Sequence, residues 1–249
     1  MIDDMEKNVS AIIEFIKESQ YCVALTGAGI STLSGIPDFR GKSGIYNQYD
    51  INKIFDYNCF LSDPSYYYKA SKDFIYNIEY RKPNIIHFEL ARLESAGLLK
   101  SVITQNIDLL HSRAGSKNVI ELHGSPHTHT CMGCGKKYDY SNIAQIVRND
   151  EIPFCNYCHG SIKPDITFFG ESLDPSLLQY AVEECSKADL ILALGTSLVV
   201  QPAASLPLYS LENGGSLVIV NQTKTPLDEI AAGRYPDLEK VFSEIKESL

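Results

Sequence analysis

The sequence predicts an α/β protein: a Rossmann-like, doubly wound parallel sheet that carries a helical insert and a smaller metal-binding module. Three observations lead to this fold class. Short apolar runs alternate with helical stretches, a glycine-rich turn follows the first apolar run, and two pairs of cysteines interrupt the alternation near the middle of the chain. Strand–helix alternation predicts the sheet, and paired cysteines predict the metal-binding module.

The first element is an amphipathic helix, because Val9, Ile12, Ile13 and Ile16 recur at helical spacing. Five later runs have the character of buried strands. Most of them are apolar throughout rather than alternating, which is typical of parallel strands with both faces covered. The runs span residues 21–26, 101–105, 119–122, 189–195 and 216–221.

Helices are expected between several of these runs. Residues 84–97, 174–187 and 201–212 have helical spacing, and Gly97 fits a C-terminal helix cap. The alternation predicts a mostly parallel sheet, and ligands of such sheets bind at the carboxyl ends of the strands.

Two segments break the alternation. Residues 41–83 hold eight of the fifteen tyrosines and little strand pattern, so we interpret them as a helical insert. Residues 123–165 hold the paired cysteines and few long apolar runs, so we interpret them as the smaller module. The remaining segments, 1–40, 84–122 and 166–249, are assigned to the Rossmann-like domain.

Composition and charge narrow the class of protein. The chain has a net charge of −9, from 22 Lys and Arg against 31 Asp and Glu. This balance argues against a broad nucleic-acid-binding surface and is compatible with a basic partner such as a lysine-rich peptide. The acidic start and the lack of a long apolar run predict a cytoplasmic protein without a secretory leader or a membrane span.

Two C-x-x-C pairs have the spacing of a zinc site: Cys131, Cys134, Cys155 and Cys158. Four thiolates leave no ligand position for water, so a structural zinc is expected. One alternative is a pair of redox motifs, although such motifs belong at strand–helix junctions. The other is a mixed site in which one cysteine is replaced by a histidine of this segment, His127, His129 or His159.

The glycine-rich turn follows the first predicted strand and contains Gly27, Ala28 and Gly29. Backbone N–H groups at a strand end suit a pyrophosphate, although such turns also serve chain geometry alone. Thr32 stands where the dinucleotide fingerprint of a dehydrogenase has its last glycine. The motif is therefore incomplete as a dehydrogenase signature.

Two further strands end in small or polar residues. Gly195, Thr196 and Ser197 follow one, and Asn221 follows the next. Because the carboxyl ends of parallel strands meet at one edge, these residues are expected to line one crevice with the glycine turn. The acidic ribose ligand of an ordinary dinucleotide fold has only Asp50 as a candidate, and Asp50 falls in the tyrosine-rich insert.

Polar residues also follow the second and third predicted strands. Gln105, Asn106 and Asp108 come after one, and His123 comes after the other. Each has a structural alternative, since polar residues cap helices and a lone histidine is more often structural than catalytic. Their expected position at the same sheet edge favours a functional role.

Taken together, the chain resembles a sirtuin, a Sir2-type NAD-dependent protein lysine deacylase, of the compact bacterial and archaeal type. The resemblance covers nearly the whole chain, residues 5–245. Besides the cysteine pairs, its motifs are GAGIS (27–31), GIPDFRG (35–41), TQNID (104–108), ELHG (121–124), FFGE (168–171) and GTSL (195–198).

The resemblance implies NAD as co-substrate and one structural zinc per chain. Arg40 would approach the phosphates, Phe39 would cover the reacting ribose, and Ile107 with Asp108 would hold the nicotinamide. The residues implied to contact NAD are Gly27, Ala28, Gly29, Thr32, Asp38, Phe39, Arg40, Gln105, Asn106, Ile107, Asp108, His123, Gly195, Thr196, Ser197, Asn221, Gln222 and Asp237.

The resemblance also implies the reaction. The acetyl-lysine carbonyl oxygen attacks the ribose carbon as nicotinamide leaves, which gives an alkylimidate. His123 acts as the general base that lets the ribose 2′-hydroxyl attack this imidate, while Asn106 orients the ribose and a water. A rival activity is mono-ADP-ribosyl transfer to protein on the same NAD site, and a non-enzymatic rival is a zinc-stapled NAD-binding module.

The substrate peptide is expected to add as a β-strand to backbone near Thr167, Gly170, Glu171 and Val200. Sirtuins specialised for succinyl or malonyl groups carry a Tyr-x-x-Arg pair, whereas Tyr66 is followed here by Lys69. A lysine cannot make the bidentate fork of an arginine. Deacetylation is therefore the expected activity, with neither nucleic acid nor membrane as a partner.

Overall fold

The computed structural model describes residues 9–38 and 50–249. The chain divides into two compact units, and each is built from separate chain segments. Unit 1 comprises Met1–Gly35, Pro83–Leu122 and Asp174–Leu249, and unit 2 comprises Ile36–Lys82 and His123–Leu173. Within the described ranges, no helix combines the length and apolar character needed to cross a bilayer.

Nine strands are present in the described residues. They are β1 Cys22–Thr26, β2 Ser101–Thr104, β3 Val119–Glu121, β4 Gly124–Cys131, β5 Lys137–Asp139, β6 Ile162–Ile166, β7 Leu190–Leu194, β8 Ser216–Val220 and β9 Gly233–Tyr235.

The described residues also form ten α-helices. They are α1 Ser10–Glu18, α2 Ile51–Ile54, α3 Tyr57–Ser62, α4 Pro64–Ser71, α5 Ile85–Ser95, α6 Leu110–Ala114, α7 Tyr140–Arg148, α8 Pro175–Lys187, α9 Leu206–Glu212 and α10 Leu238–Ser248. Short 3₁₀ helices span Ala28–Ser34, Ile78–Tyr80, Ala203–Ser205 and Asp228–Ile230. The helix expected over 201–212 is thus a 3₁₀ turn followed by α9.

Unit 1 is built on a six-stranded sheet with the order β3-β2-β1-β7-β8-β9. Every neighbouring pair in this sheet is parallel. The chain winds outward from β1 over β2 and β3, and later from β7 over β8 and β9, so the winding reverses between β1 and β7. This arrangement is the doubly wound sheet that the sequence predicts, and its switch point is where ligands of such folds bind.

Both faces of the sheet are covered, which explains why most of its strands are apolar rather than alternating. Cys22 and Ala24 of β1 belong to one core, together with residues of α1, α5 and α10. Val23 and Leu25 belong to the opposite core, together with residues of α8 and α9. All positions of β1 are buried. The edge strand β9 and helix α10 extend this pattern beyond the elements predicted from sequence.

Unit 2 contains a three-stranded antiparallel sheet with the order β5-β4-β6. The sequence analysis predicts no sheet in this segment. Strand β4 reads GSPHTHTC, and it lacks the apolar run by which the strands of unit 1 are recognised. The backbone groups of β4 pair with β5 and β6, but its side chains are not apolar on both faces. The strand therefore leaves only a weak pattern in the sequence.

The helical insert and the cysteine-bearing module form one unit because they share an aromatic core. Phe60, Tyr67, Tyr68, Tyr76 and Phe168 are each no more than 1% exposed. The Tyr68 hydroxyl donates to the Ile162 carbonyl at 2.5 Å, and the Tyr140 hydroxyl donates to the Ile75 carbonyl at 3.0 Å. These contacts join residues that lie far apart in the sequence.

Residues 166–173, which the sequence analysis assigns to the Rossmann-like domain, lie in unit 2. Strand β6 continues to Ile166, which pairs with Gly124 of β4. Beyond it, the Phe169 N–H donates to the Phe55 carbonyl at 2.7 Å. Pairing and aromatic burial therefore hold this segment in the smaller unit, and the sequence-based boundary falls too early.

At the switch point of unit 1, the backbones that follow β1 and β7 touch. The Gly27 N–H donates to the Leu194 carbonyl at 3.0 Å, and the Gly29 N–H donates to the Gly195 carbonyl at 2.9 Å. Gly195 has a φ of +60°, and a Cβ placed there would lie 2.5 Å from the Ile30 nitrogen. Both the conformation and the close approach therefore require glycine at position 195.

We expect Gly195→Ala to lower the free energy of unfolding by about 3 kcal/mol, since left-handed strain and a backbone clash add together. Gly97→Ala is the matched control, because Gly97 has a φ of +78° and no atom within 4 Å of the added methyl. That control should lose only about 1 kcal/mol. Urea denaturation measures both, and equal losses would contradict the close-contact argument.

Candidate functional site

The glycine turn after β1 makes more hydrogen bonds within the protein than the sequence predicts. Gly27 and Gly29 donate their N–H groups to the end of β7, and the Thr32 hydroxyl donates to the Gly29 carbonyl at 3.0 Å. A Cβ on Gly27 would lie 2.8 Å from the Gly195 carbonyl oxygen. Both glycines thus serve packing. Within the described ranges, the Ala28 N–H is the donor of this turn that has no acceptor.

The polar cluster after β2 lies against this turn. Asn106 and Asp108 are 7% and 5% exposed. The Asn106 amide donates to the Gly27 carbonyl at 3.1 Å and approaches the Ser31 hydroxyl at 3.3 Å. The Ser31 hydroxyl donates to Asp108 Oδ2 at 2.6 Å, and the Leu110 N–H donates to Oδ1 at 3.0 Å. The structure therefore brings two predicted site segments of unit 1 together.

Ser31 is a site residue that the sequence analysis misses. It is buried, and it is the group that contacts both Asn106 and Asp108. The signal available was a small hydroxyl residue two positions beyond Gly29, inside the GAGIS motif. Thr32, which was named instead, is exposed.

Burial raises the pKa of Asp108, while the hydrogen bond from Ser31 opposes the shift. Burial also raises the pKa of Glu121, at the end of β3, and the charge of Asp108 adds to the effect. Two carboxylates therefore influence each other beside the polar cluster. A buried carboxylate that retains unused lone pairs is suited to accept from an amide N–H of a ligand.

The ends of β2 and β7 are also linked directly. The Gln105 amide donates to the Thr196 hydroxyl oxygen at 3.0 Å, and the Gln105 N–H donates to the Thr26 carbonyl at 3.0 Å. The Leu198 N–H donates to the same Thr196 oxygen at 3.3 Å. Ile107 and Ser197 are half-buried. Gln105 and Thr196 thus hold the segments after β2 and β7 together, whether or not they touch a ligand.

The residues expected near adenosine differ in burial and in their hydrogen bonds within the protein. Asn221 is 8% exposed, and its amide donates to the Thr223 carbonyl at 2.9 Å, which closes a local turn. Gln222 is exposed. The Asp237 carboxylate accepts from the Lys240 N–H at 2.9 Å and caps α10. A capping role accounts for Asp237 without any ligand.

Two buried histidines in unit 1 stand outside the predicted site. His111 Nε2 lies 3.0 Å from the Thr26 hydroxyl, and the rings of His87 and His111 are 5.0 Å apart. His87 Nδ1 accepts from the Asn84 N–H at 3.3 Å, and the Asn84 amide donates to the Ile30 carbonyl at 2.8 Å. Burial lowers the pKa of His87 to about 4 and that of His111 to about 3.

His123 is the first residue of the second chain segment of unit 2 and is half-buried. Its carbonyl accepts from the Thr167 N–H at 2.8 Å. The next residue, Gly124, has a φ of +70°, and a Cβ there would lie 2.2 Å from the Asp165 carbonyl oxygen. The backbone at His123 is therefore fixed by its pairing with β6.

The remaining predicted NAD contacts are Asp38, Phe39 and Arg40. Asp38 is half-buried and belongs to unit 2. Phe39 and Arg40 lie outside the described residues.

The backbone expected to pair with a peptide is partly used within the protein. The Thr167 N–H donates to His123, and the Glu171 N–H donates to the Phe168 carbonyl at 3.0 Å. Gly170 has a φ of +96°. The Val200 carbonyl accepts from the Ala204 N–H at 2.9 Å.

The four paired cysteines form one cluster, with all sulfur atoms within 4.8 Å of one another. The Cys131 and Cys158 sulfurs are 3.4 Å apart, and those of Cys134 and Cys155 are 3.6 Å apart. Tetrahedral Zn–S bonds of about 2.3 Å place sulfur atoms roughly 3.8 Å apart. The donor set therefore fits a structural zinc, as predicted.

The alternatives for this cluster are not supported. Two separate redox motifs would each keep their own sulfurs together, whereas the short sulfur contacts here join cysteines of different pairs. Among the described residues, the one candidate metal cluster contains the four cysteines and no histidine. His129 is instead buried, with Nε2 at 2.9 Å from the Tyr76 hydroxyl, and His127 and His159 are exposed.

Fold and site together define a doubly wound nucleotide-binding protein with a Cys₄ zinc module. The chain belongs to the Sir2 family, whose family model matches residues 27–202. It is 48% identical over 223 residues to an NAD-dependent protein deacetylase of Thermotoga maritima, covering 90% of each chain. It is 42% identical over 220 residues to NAD-dependent protein deacylase 1 of Archaeoglobus fulgidus, covering 88% of this chain and 89% of the relative.

Solved structures agree with this assignment. A Sir2 variant with deacetylated p53 peptide and 3′-O-acetyl ADP ribose has a TM-score of 0.92 at 44% identity, covering 97% of this chain and 98% of that one. A complex of Sir2, p53 peptide and NAD⁺ has a TM-score of 0.88 at 44% identity, covering 96% of each chain. The sirtuin resemblance and the predicted fold class are confirmed.

Zinc removal is expected to unfold the small sheet of unit 2, because β4 and the turn around Cys155 are held by the cysteine cluster. Cys155→Ala should lose the metal, about one zinc per chain, and lower the thermal midpoint. Metal analysis and circular dichroism measure these effects. Cys59→Ala, in the same unit but outside the cluster, is the control, and a metal-free protein of unchanged stability would contradict a structural role.

Acid is expected to destabilise the fold through His87 and His111. Their folded pKa values lie below the ordinary 6.5, so the unfolded chain binds protons that the folded chain excludes. The stability they contribute is complete above pH 6.5 and is lost as the pH falls towards 4, by up to about 1.4 kcal/mol per pH unit for each group.

Urea denaturation between pH 7 and pH 4 tests this expectation. His111→Gln keeps a polar group near Thr26 but does not titrate, so its stability should depend less steeply on pH than that of the wild type. Some dependence remains, because burial also lowers the pKa of His129, to about 3. The exposed His127→Gln should keep the wild-type slope, and equal slopes in all three proteins would refute the assignment.

Proposed function

We propose that this chain is an NAD-dependent protein lysine deacetylase. NAD, acetyl-lysine and water are converted to nicotinamide, lysine and O-acetyl-ADP-ribose. The observation that carries the proposal is the joining of Gly27, Ser31, Asn106 and Asp108 by hydrogen bonds at the switch point of unit 1. The names of the relatives and the NAD and peptide complexes of the similar structures support it.

NAD is assigned to the carboxyl edge of the sheet in unit 1. The Ala28 N–H is available to a phosphate, whereas Gly27 and Gly29 act by allowing the turn to pack on Gly195. Ser197 is placed beside the phosphates. The contacts proposed for Thr32, Asp38, Phe39, Arg40, Gln105, Gly195, Thr196, Asn221, Gln222 and Asp237 stay predictions.

The nicotinamide is assigned to Ile107 and Asp108. Each oxygen of the Asp108 carboxylate accepts one hydrogen bond, from Ser31 or Leu110, and retains lone pairs for the carboxamide N–H₂. Ser31 fixes the rotamer of this carboxylate. The half-buried Ile107 supplies an apolar side chain next to it in the chain.

Asn106 and His123 are assigned to the chemical step. The Asn106 amide nitrogen is used by Gly27 and Ser31, which leaves its Oδ1 to accept from a ribose hydroxyl or a water. After the acetyl oxygen displaces nicotinamide, His123 takes the proton that lets the 2′-hydroxyl attack the imidate carbon. A histidine performs this proton transfer near neutral pH without large tuning.

The acetylated peptide is proposed to pair as a β-strand with backbone of the 167–171 segment and near Val200. Because the Thr167 and Glu171 N–H groups already donate within the protein, the groups of this segment that stay available for the pairing include the Thr167 carbonyl and the Gly170 N–H. Tyr66 and Lys69 are exposed, which does not favour a pocket for an acidic acyl group. A cytoplasmic location stays a prediction.

His123→Ala should reduce acetyl-peptide-dependent formation of O-acetyl-ADP-ribose by about 10²- to 10⁴-fold, because the general base is lost. NAD binding should persist, since the proposed NAD residues other than His123 remain. Mass spectrometry of the products and calorimetry of NAD binding provide the two readouts.

His127→Ala is the matched control, because His127 is an exposed histidine of the same strand region. It should retain wild-type turnover. Full activity of His123→Ala would remove the assigned base. Formation of ADP-ribosylated protein without O-acetyl-ADP-ribose by the wild type would favour the transferase alternative instead.

A further inference from the structure

We propose that Lys163 and Glu171 form a positioning pair for the deacetylation reaction. The pair fixes the backbone on both sides of Thr167, and thereby the strand end that binds the carbonyl of His123. This inference rests on the proposed function, because it concerns how the same peptide segment and the same base are held in place.

The ammonium group of Lys163 is buried and fully engaged. The residue is 9% exposed. Its Nζ donates to the Ile166 carbonyl at 2.7 Å, to Glu171 Oε2 at 2.8 Å and to the Pro164 carbonyl at 3.3 Å. The same Nζ lies 4.3 Å from the centroid of the Phe168 ring. A lysine has three donors, and all three find acceptors here.

Glu171 forms an ion pair with this ammonium group and closes the turn that follows β6. Its Oε2 also accepts from the Phe168 N–H at 2.8 Å. In the opposite direction, the Glu171 N–H donates to the Phe168 carbonyl at 3.0 Å. Gly170, inside this turn, has a φ of +96°, a conformation that favours glycine. Two reciprocal hydrogen bonds therefore define the shape of the FFGE turn.

Between these two anchored points lies Thr167. Ile166, whose carbonyl binds Lys163, pairs with Gly124 in the β4–β6 ladder. The Thr167 N–H then donates to the His123 carbonyl at 2.8 Å. One buried cation thus sets the position of the strand end on which the backbone of His123 rests.

The pair also determines which backbone groups remain for a peptide. The Phe168 N–H is used by the Glu171 side chain, and the Phe168 carbonyl is used by the Glu171 N–H. The Thr167 carbonyl and the Gly170 N–H are among the groups that stay available. Without the pair, the backbone N–H groups of the turn could bind other acceptors. The backbone groups available to a peptide would then no longer be held in one arrangement.

An ion pair with a buried cation and a half-buried carboxylate is an inefficient source of stability, because desolvation offsets much of the attraction. Burial lowers the pKa of Lys163, and the charge of Glu171 opposes that shift. Apolar residues of similar volume would fill this space at comparable stability. An apolar pair would not supply the directed hydrogen bonds that Lys163 and Glu171 make to three backbone groups.

The test measures steady-state kinetics with an acetylated peptide and NAD, and NAD affinity without peptide. Lys163→Met should raise the KM for the peptide about tenfold or more, the effect of losing charged hydrogen bonds that position a binding segment. The Kd for NAD should stay within about twofold, because most of the proposed NAD contacts lie in unit 1, which the variant leaves unchanged. Lys163→Arg, which keeps the cation, should restore most of the peptide affinity.

Two further variants separate positioning from stability. The exposed Lys137→Met is the matched control in the same unit and should keep the wild-type KM. The double variant Lys163→Met with Glu171→Leu removes both charges and leaves no unpaired carboxylate, so its thermal midpoint should recover relative to Lys163→Met. Its KM for the peptide should remain raised, which a purely structural role would not produce.

The outcomes are distinct. A wild-type KM in the folded double variant contradicts the positioning pair, and so does failure of Lys163→Arg to improve on Lys163→Met. If Lys163→Met does not fold, the double variant and Lys163→Arg decide the question. Absence of acetyl-peptide-dependent nicotinamide release by the wild type contradicts the proposed function itself.

Discussion

Where the winding of the central sheet reverses, the turns after β1 and β7 meet backbone to backbone, with the Gly29 N–H bound to the Gly195 carbonyl at 2.9 Å. Side chains are excluded from this contact, because a Cβ at Gly29 would lie 2.8 Å from Gly195 Cα. The polar residues at this edge of unit 1 are positioned by the turn that makes this contact. The Asn106 amide binds the Gly27 carbonyl, and Ser31, on the same turn, orients Asp108.

The contact also changes the interpretation of the incomplete fingerprint. A glycine turn after a first strand is usually explained by its approach to a pyrophosphate. Here Gly27 and Gly29 are already required because the neighbouring strand end is close. The last glycine of a dehydrogenase motif, replaced by Thr32, is not needed for this packing. Within this one motif, Gly27 and Gly29 are required by the packing of the backbone, whereas the Ala28 N–H between them is available to a ligand.

Much of the fold could be predicted because unit 1 is assembled from apolar strands with both faces covered, which leave a clear pattern. The antiparallel strand β4 could not, because its residues are mostly polar and its pairing with β6 depends on a distant segment. The cysteine cluster was predictable from spacing alone. The role of Ser31 was not, because its partner Asp108 is remote in the sequence. The Lys163–Glu171 pair was not either, because it is made across the turn after β6, and a turn leaves no periodic pattern. Asp237 was named for a ligand, yet its cap of α10 is a local interaction.

Unit 2 has two independent sources of order. At one end four thiolates converge, with every sulfur within 4.8 Å of the others. Elsewhere the rings of Tyr67 and Tyr68 pack edge to face at 5.1 Å, and Phe168 joins them from the other chain segment. The aromatic core unites the two segments, whereas the metal cluster closes a loop within one of them. Loss of the metal and loss of the core therefore have different structural consequences.

The chain passes between the two units four times, after Gly35, Lys82, Leu122 and Leu173. Neither unit is a contiguous stretch, so a single recombination event cannot transfer one of them to another protein. The residues assigned to NAD and those assigned to the peptide are consequently inherited together. Variation in this architecture must arise by substitution, or by insertion within a loop, rather than by exchange of whole domains.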